Sequence, residues 1–204
     1  MKALKAQMNP HFIYNALNSI QALIADNKKN DAIMYVGSFS RLLRQVLEHS
    51  ENNVIPLERE IETMKLYISL EALRLNMNLS YSIKTDETII LENEKIPPLI
   101  LQPFIENALW HGLSEKKGER ILQIKISQEV NWLICTVEDN GIGRPMADAK
   151  KGLTKHQSKG IDITRQRLIN FNNNTDEPLA FIDLLDGTGN AAGTRVVVKI
   201  SRPV

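Results

Sequence analysis

The sequence predicts an α+β fold in two parts, a helical hairpin followed by an α/β sandwich. Three observations predict it. Apolar residues recur at three- and four-residue steps through the first third of the chain, as on amphipathic helices. Short runs with strand character fill much of the rest. Two helical runs lie among those strands without the strict alternation of a doubly wound parallel sheet.

The first helix carries Leu4, Met8, Phe12, Ala16, Ile20 and Leu23 or Ile24 on one stripe. It is already under way at Met1–Met8, with no capping residue before it, which suggests a piece of a longer protein. Asp26-Asn27-Lys28-Lys29-Asn30 reads as a turn, and a second stripe runs through Ile33, Val36, Phe39, Leu42 or Leu43, Val46 and Leu47. Such a hairpin buries two stripes poorly by itself, so a dimeric four-helix bundle is expected. A third helix spans Leu57 to Leu75, with Glu58, Glu60 and Glu62 in its first turns, where they suit the helix dipole. Strands are expected at Leu79–Ile83, Ile121–Ile126, Trp132–Val137, Ala180–Leu185 and Arg195–Ile200, and helices at Pro98–His111 and Gly160–Asn172. The pattern changes near residues 76 to 78, which divides the chain into 1–78 and 79–204.

Composition narrows the function classes. With 204 residues, 43% hydrophobic and 24% charged, the chain is ordinary for a globular protein of one or two small domains. A net charge of +1 argues against bulk electrostatic binding of nucleic acid, so no direct nucleic-acid partner is expected. The single cysteine, Cys135, excludes an internal disulfide framework and reads as a buried strand residue in a reducing cytosol. No apolar run approaches the length of a membrane span. His49 and His156 belong to no constellation and are expected on the surface.

Four motifs carry chemistry. In Gln102-Pro103-Phe104-Ile105-Glu106-Asn107-Ala108-Leu109-Trp110-His111-Gly112, Asn107 and His111 share a helix face. Asn107 offers a neutral oxygen suited to Mg²⁺, and Gly112 a helix stop. In Glu138-Asp139-Asn140-Gly141-Ile142-Gly143, Asp139 at a strand end can accept a hydrogen from an exocyclic amine, and the glycines allow a close approach to a flat base. Lys159-Gly160 opens a helix whose free N–H groups suit phosphates. Gly193-Thr194-Arg195-Val196 follows a Gly-rich turn into the last strand.

Taken in order, these motifs resemble the N box and glycine boxes of the GHKL ATP-binding fold, from about residue 79 to the end. The resemblance implies Mg-ATP binding, with Asn107 chelating Mg²⁺ and Asp139 binding the adenine amine. It also implies that Gly141, Gly143 and Gly160 shape the pocket and that Thr194 supports its adenine end. Residues 144 to 159 would form a lid, whose Arg144, Lys150, Lys151, Lys155 and Lys159 would screen phosphate charge; His111 joins Lys159 among the nucleotide contacts.

The first helix decides the branch. Asn9-Pro10-His11-Phe12-Ile13-Tyr14-Asn15, through Ile20, resembles the phosphoacceptor helix of LytS-type (autolysin-sensor-like) histidine kinases, and Pro56 to Arg74 resembles their third helix. Pro10 predicts a kink or local start that presents His11, and neutral imidazole is a competent nucleophile near pH 7. The family implies a homodimer that phosphorylates its own His11 and passes the phosphoryl group to an aspartate of a response regulator, often of LytTR type. It further implies a cytoplasmic core whose full-length protein sits in the bacterial inner membrane through an N-terminal sensor. Asn15, one turn after His11, is placed to orient a water for dephosphorylating the regulator. Hydrolytic GHKL members carry a Glu where Pro103 stands, which favours a kinase over the alternatives, a GHKL ATPase without phosphohistidine or a dimeric pseudokinase scaffold. Trp110 replaces the usual Lys, and Ser158-Lys159-Gly160 replaces the fuller Gly-x-Gly.

Overall fold

The computed structural model describes residues 10–144, 156–173 and 177–202, with side chains from Phe12 onward in the first segment and from Gly160 onward in the second. The expected helical start at Met1–Met8 and most of the expected lid lie outside the described residues.

Helix α1 (Pro10–Ala25) and helix α2 (Lys29–Ser50) form the hairpin. Its turn is set by Asn27, in the left-handed region at φ 58°. The Lys28 amide donates to Leu23 O and the Asn27 amide to Ile24 O, the paired bonds of a Schellman ending. The same device closes α3 (Leu57–Arg74): Asn76 has φ 47°, Met77 donates to Ala72 O and Asn76 to Leu73 O. Asparagine tolerates this conformation better than other side chains, which explains both breaks read in the sequence.

The hairpin stripes divide. Phe12, Ala16, Ala32, Tyr35, Phe39, Leu42 and Val46 are buried, and the Phe12 ring lies between Phe39 and Tyr67 of α3, at centroid distances of 5.7 and 5.3 Å. Ile33, Val36 and Leu47, expected on the second stripe, are exposed together with Tyr14, Leu17, Ile24 and Met34. His49, expected on the surface, is buried with Nδ1 3.5 Å from the Thr63 hydroxyl, because α3 packs over the end of α2. Burial pulls its imidazole below the ordinary histidine range. The side chain of His156 lies outside the described residues.

The second part is a five-stranded sheet in the order β2-β4-β5-β7-β6: β2 (Leu79–Thr85), β4 (Arg120–Glu129), β5 (Trp132–Asp139), β6 (Leu179–Leu185) and β7 (Ala191–Ser201). Strand β2 runs parallel to β4, with Leu79 opposite Arg120, and all other pairs are antiparallel. Alternation fixes one buried face, made of Leu122, Ile124, Ile126, Leu133, Cys135, Val137, Val196, Val198 and Ile200. Phe104, Ile105, Leu109, Leu113 and Leu168 pack on that face from two helices, giving two layers. Cys135 is fully buried, and burial pushes its thiol far up.

Two elements differ from expectation. A short pair, β1 (Ile55–Pro56) with β3 (Lys95–Ile96), was not legible, since two-residue strands carry no periodicity. The helix expected from Pro98 instead starts at Gln102, as α4 (Gln102–Asn107), and is continued by a π-helical segment, Ala108–Leu113. The delay has a local cause. Leu99 sits at φ 56°, costly for a branched side chain, and its amide donates to Glu60 of α3 at 2.8 Å, with the Leu101 amide 3.4 Å from the same carboxyl group. Helix α5 (His156–Phe171) starts four residues before Gly160, so Gly160 lies inside a helix rather than at its head; a glycine costs a helix interior only about 1 kcal/mol.

Glu60 is almost wholly buried, and burial pushes its carboxyl up to about 7, against the pull of the Leu99 and Leu101 amides and the Arg167 guanidinium. A carboxyl raised in the folded state adds stability that is complete below its unfolded value and is lost as pH climbs through the folded one. Glu60→Gln removes this dependence. From about pH 5 to about pH 8 the unfolding free energy of the wild type is expected to fall by roughly 1–3 kcal/mol relative to the variant. Urea titrations at the two pH values check it; a constant difference would refute the assignment.

Candidate functional site

The site begins with a carboxylate in a position the sheet reserves for apolar residues. Leu133, Cys135 and Val137 are the inward residues of β5, and Asp139 takes the next inward place, 5% exposed. Its Oδ1 accepts the Gly141 amide at 2.8 Å. Burial raises its carboxyl to about 6, while the Gly141 and Thr194 amides and the nearby Lys116 ammonium pull it down. The group is a hydrogen-bond acceptor set in a buried wall.

Glycines make room for it. A Cβ on Gly112 would come within 2.5 Å of the Asp139 Oδ1, and one on Gly141 would run into the Gly112 backbone. The Ile142 amide donates to Gly112 O at 3.0 Å, tying the end of the helix to the loop after β5. On β7, Gly193 has φ 141°, and a Cβ there would collide with the Asp139 carbonyl oxygen. Gly112 is thus not the expected helix stop: the π-helical segment runs past it to Leu113, and its missing side chain admits Asp139. Thr194, half-buried, is the register partner of Asp139. Gly143, at φ 74°, closes the loop against Ala191. The Asn140 side chain bonds the loop to the start of β4, accepting the Ile121 amide at 2.9 Å.

Asn107 is the last residue of α4, and His111 follows within the π-helical segment; both are half-buried. The wider ring is marked by the Ser114 amide donating to Leu109 O at 3.0 Å, five residues back. Such turns cluster at functional sites, and neither periodicity nor composition signals one. Trp110, between the two candidates, meets α3: its indole Nε1 donates to Glu71 at 2.5 Å and its ring lies 4.8 Å below the Arg74 guanidinium. Its place as a substitute for Lys is therefore a place in the α3 interface.

The other candidates fall elsewhere. His11 lies in the first turn of α1, and its side chain is outside the described residues. Asn15, one turn on, is half-buried, and its carbonyl accepts the Ser19 hydroxyl at 2.9 Å. Lys159 is in the first turn of α5, its side chain likewise outside, and Lys150, Lys151 and Lys155 lie outside altogether. Gly160 is exposed, with nothing within 4 Å of a Cβ built on it. Arg144, expected to screen phosphates, holds Asp183 of β6 through two bonds of 2.7 and 2.8 Å and lies 5.3 Å over the Phe181 ring. The pair is exposed to solvent.

Among the described residues no group of three or more His, Cys, Asp or Glu side chains could cage a metal ion. Mg²⁺ usually takes one or two protein oxygens and completes its shell with water and phosphate oxygens. The Asn107 side chain carries one amide oxygen of that type.

Residues 1–79 match the model of the family described as Histidine kinase. The chain is 32% identical to the sensor protein LytS of Streptococcus agalactiae serotype V, over 98% of this chain and 34% of that protein. Against the sensor protein LytS of Staphylococcus saprophyticus the figures are 32%, 98% and 33%. The sensor histidine kinase YpdA of Escherichia coli is 34% identical over 70% of this chain and 25% of its own. The chain thus spans about a third of the length of the LytS proteins it matches. Among solved structures, the histidine kinase domain of a blue-light activated histidine kinase from Erythrobacter litoralis superposes with a TM-score of 0.51 at 16% identity, covering 94% of this chain and 95% of that one. The catalytic domain of the histidine kinase ThkA gives a TM-score of 0.50 at 11% identity, over 73% and 95%. These two likenesses establish the fold.

The glycine contacts separate two positions that the sequence treats alike. Gly112→Ala is expected to destabilise the protein by about 1–3 kcal/mol through overpacking against Asp139. Gly160→Ala is expected to stabilise it by up to about 1 kcal/mol, since it fills open space on a helix. Chemical denaturation of both variants checks the pair, and equal effects would contradict this packing.

Proposed function

The chain belongs to the LytS-type sensor histidine kinases, and from that premise we propose that it is the catalytic core of one. In this reading residues 1–78 dimerise and carry the phosphoacceptor, and residues 79–204 bind Mg-ATP. The observation that carries it is the buried Asp139 carboxyl group, walled by Gly112, Gly141 and Gly193, where the loop after β5 is tied to the π-helical segment that follows Asn107.

Each residue then has a task. Asp139 accepts a hydrogen from the exocyclic amine of adenine; its second oxygen and the flat glycine wall suit a base and leave no room for side chains. Thr194 supports that end of the pocket, and Gly143 shapes it. Asn107 holds Mg²⁺ through its amide oxygen, and His111, Lys159 and the amides at the head of α5 face the ribose and phosphates. When bound, Mg²⁺ neutralises charge on the phosphate oxygens. His11, as neutral imidazole, attacks the γ-phosphorus: an N–P bond forms, the bond to the β-bridging oxygen breaks, and ADP leaves with the electron pair. The imidazole gives up its ring proton to solvent. An aspartate of a response regulator, of the LytTR type in this reading, next takes the phosphoryl group, and Asn15 orients the water that later releases it.

Two further parts of the reading concern assembly. Exposed Ile24, Ile33 and Val36, with half-buried Ile20, line one groove of the hairpin, and a second copy would cover them in a four-helix bundle. No helix among the described residues is long and apolar enough to cross a membrane. In this reading a sensor region of the full-length protein holds the core on the cytoplasmic side of the inner membrane.

Incubation with γ-labelled Mg-ATP tests the proposal. Acid-labile, alkali-stable label on the wild type and none on His11→Ala is the expected result. Phosphate release without phosphoprotein would replace the kinase by a GHKL ATPase, and failure to bind ATP would leave a pseudokinase scaffold.

A further inference from the structure

Helix α3 carries a buried carboxylate that the reaction does not use. Glu71 is 0% exposed, and its oxygens accept Arg74 Nε at 3.0 and 3.2 Å, Arg74 Nη2 at 2.7 Å and Trp110 Nε1 at 2.5 Å. Arg74 in turn lies over the Trp110 ring, so the indole is held at its edge by an anion and at its face by a cation. Trp110 sits three residues after Asn107 and immediately before His111. The Ser114 hydroxyl bonds back to Trp110 O at 2.6 Å, fixing the backbone of the same turn.

Burying this cluster is costly, and apolar side chains of similar volume usually serve stability as well. Directional bonds to an indole do something apolar contacts do not: they fix rotation about the helix axis. A π-helical turn makes rotation matter, because its wider ring sets Asn107 and His111 at angles an α-helix would not give them. One stripe of α3 bears Tyr67 and Glu71, four residues apart. The Tyr67 ring touches Phe12, the neighbour of His11, and Glu71 holds Trp110.

We propose that Glu71 is a positioning residue for phosphoryl transfer, which acts through Trp110 to aim Asn107 and His111 at the Mg-nucleotide. The inference rests on the reading of Asn107 as the Mg²⁺ ligand, and its test separates the two. The affinity of the full chain for a non-hydrolysable ATP analogue is measured by calorimetry with Mg²⁺ and with chelator, and the ratio of the two affinities is the readout. Trp110→Phe keeps a ring but loses the N–H, and is expected to cut that ratio about tenfold, the scale of one hydrogen bond to a charged group. Glu71→Gln keeps a weaker, neutral acceptor and is expected to cut it about threefold. Affinity in chelator, which depends on Asp139, stays near wild type in both. Asn107→Ala is the control and abolishes the ratio. If Asn107→Ala leaves the ratio intact, the Mg²⁺ reading fails and this inference with it. If only Asn107→Ala lowers it, or if the other variants lose affinity equally with and without Mg²⁺, the positioning role alone is overturned; Glu71→Gln decides should Trp110→Phe not fold.

Discussion

The structure is arranged around one constraint, a carboxyl group, that of Asp139, set in an inward position of a β-sheet. Burying such a group without partners is costly. The chain offsets part of that cost with amides, from Gly141 in the loop and from Thr194 on the paired strand. Those amides reach it only if no side chain intervenes. Glycine at 112, 141 and 193 follows from that requirement, since a Cβ at any of the three meets Asp139 or the backbone that surrounds it. The register of β5 with β7 follows too: sliding it by one residue would turn Thr194 away and send Asp139 to the opposite face.

A second constraint joins the two parts of the chain. Helix α3 continues the hairpin in sequence, yet Met64 and Tyr67 of its buried stripe belong to the same apolar cluster as the helix layer over the sheet, and Glu60 and Glu71 are buried on the same stripe. The carboxylates at either end of that stripe take donors from the segment on either side of α4, Leu99 and Leu101 before it and Trp110 after it. The segment that bears Asn107 is therefore gripped from both sides by a helix whose middle residue, Tyr67, packs on Phe12.

Periodicity made most of the fold legible. Five strands and the hairpin follow from alternation and from three- and four-residue steps, and Asn27 and Asn76 mark helix ends that the apolar pattern already suggested. Motif order located Asp139, Gly141 and Thr194 together. What escaped had no one-dimensional trace. Gly112 reads as an ordinary helix terminus, and only the fold reveals that Asp139 lies against it. Leu99 gives no hint of a left-handed backbone, because the cause is Glu60, thirty-nine residues away. Arg144 read as one cation of a lid, and its pairing with Asp183, across two strands, left no trace in the sequence. His49 seemed solitary because its neighbour Thr63 is on another helix. Glu71 and Arg74 could have been noticed, for an acid on a buried stripe with a base three residues on is a pair that expects a third partner.

The spacing of the two α3 carboxylates gives that helix its mechanical character. Glu60 and Glu71 are eleven residues apart, close to three full turns at about 3.6 residues each, so they point the same way from one rigid rod. Two anchors on a rod resist both sliding and rolling, where a single anchor resists only one. Sliding α3 by a turn would strip acceptors from Leu99 and Trp110 together. Glu71 keeps Arg74 in any such movement, because both lie on α3, so the bond to Trp110 is what ties this end of the helix to the turn that bears His111.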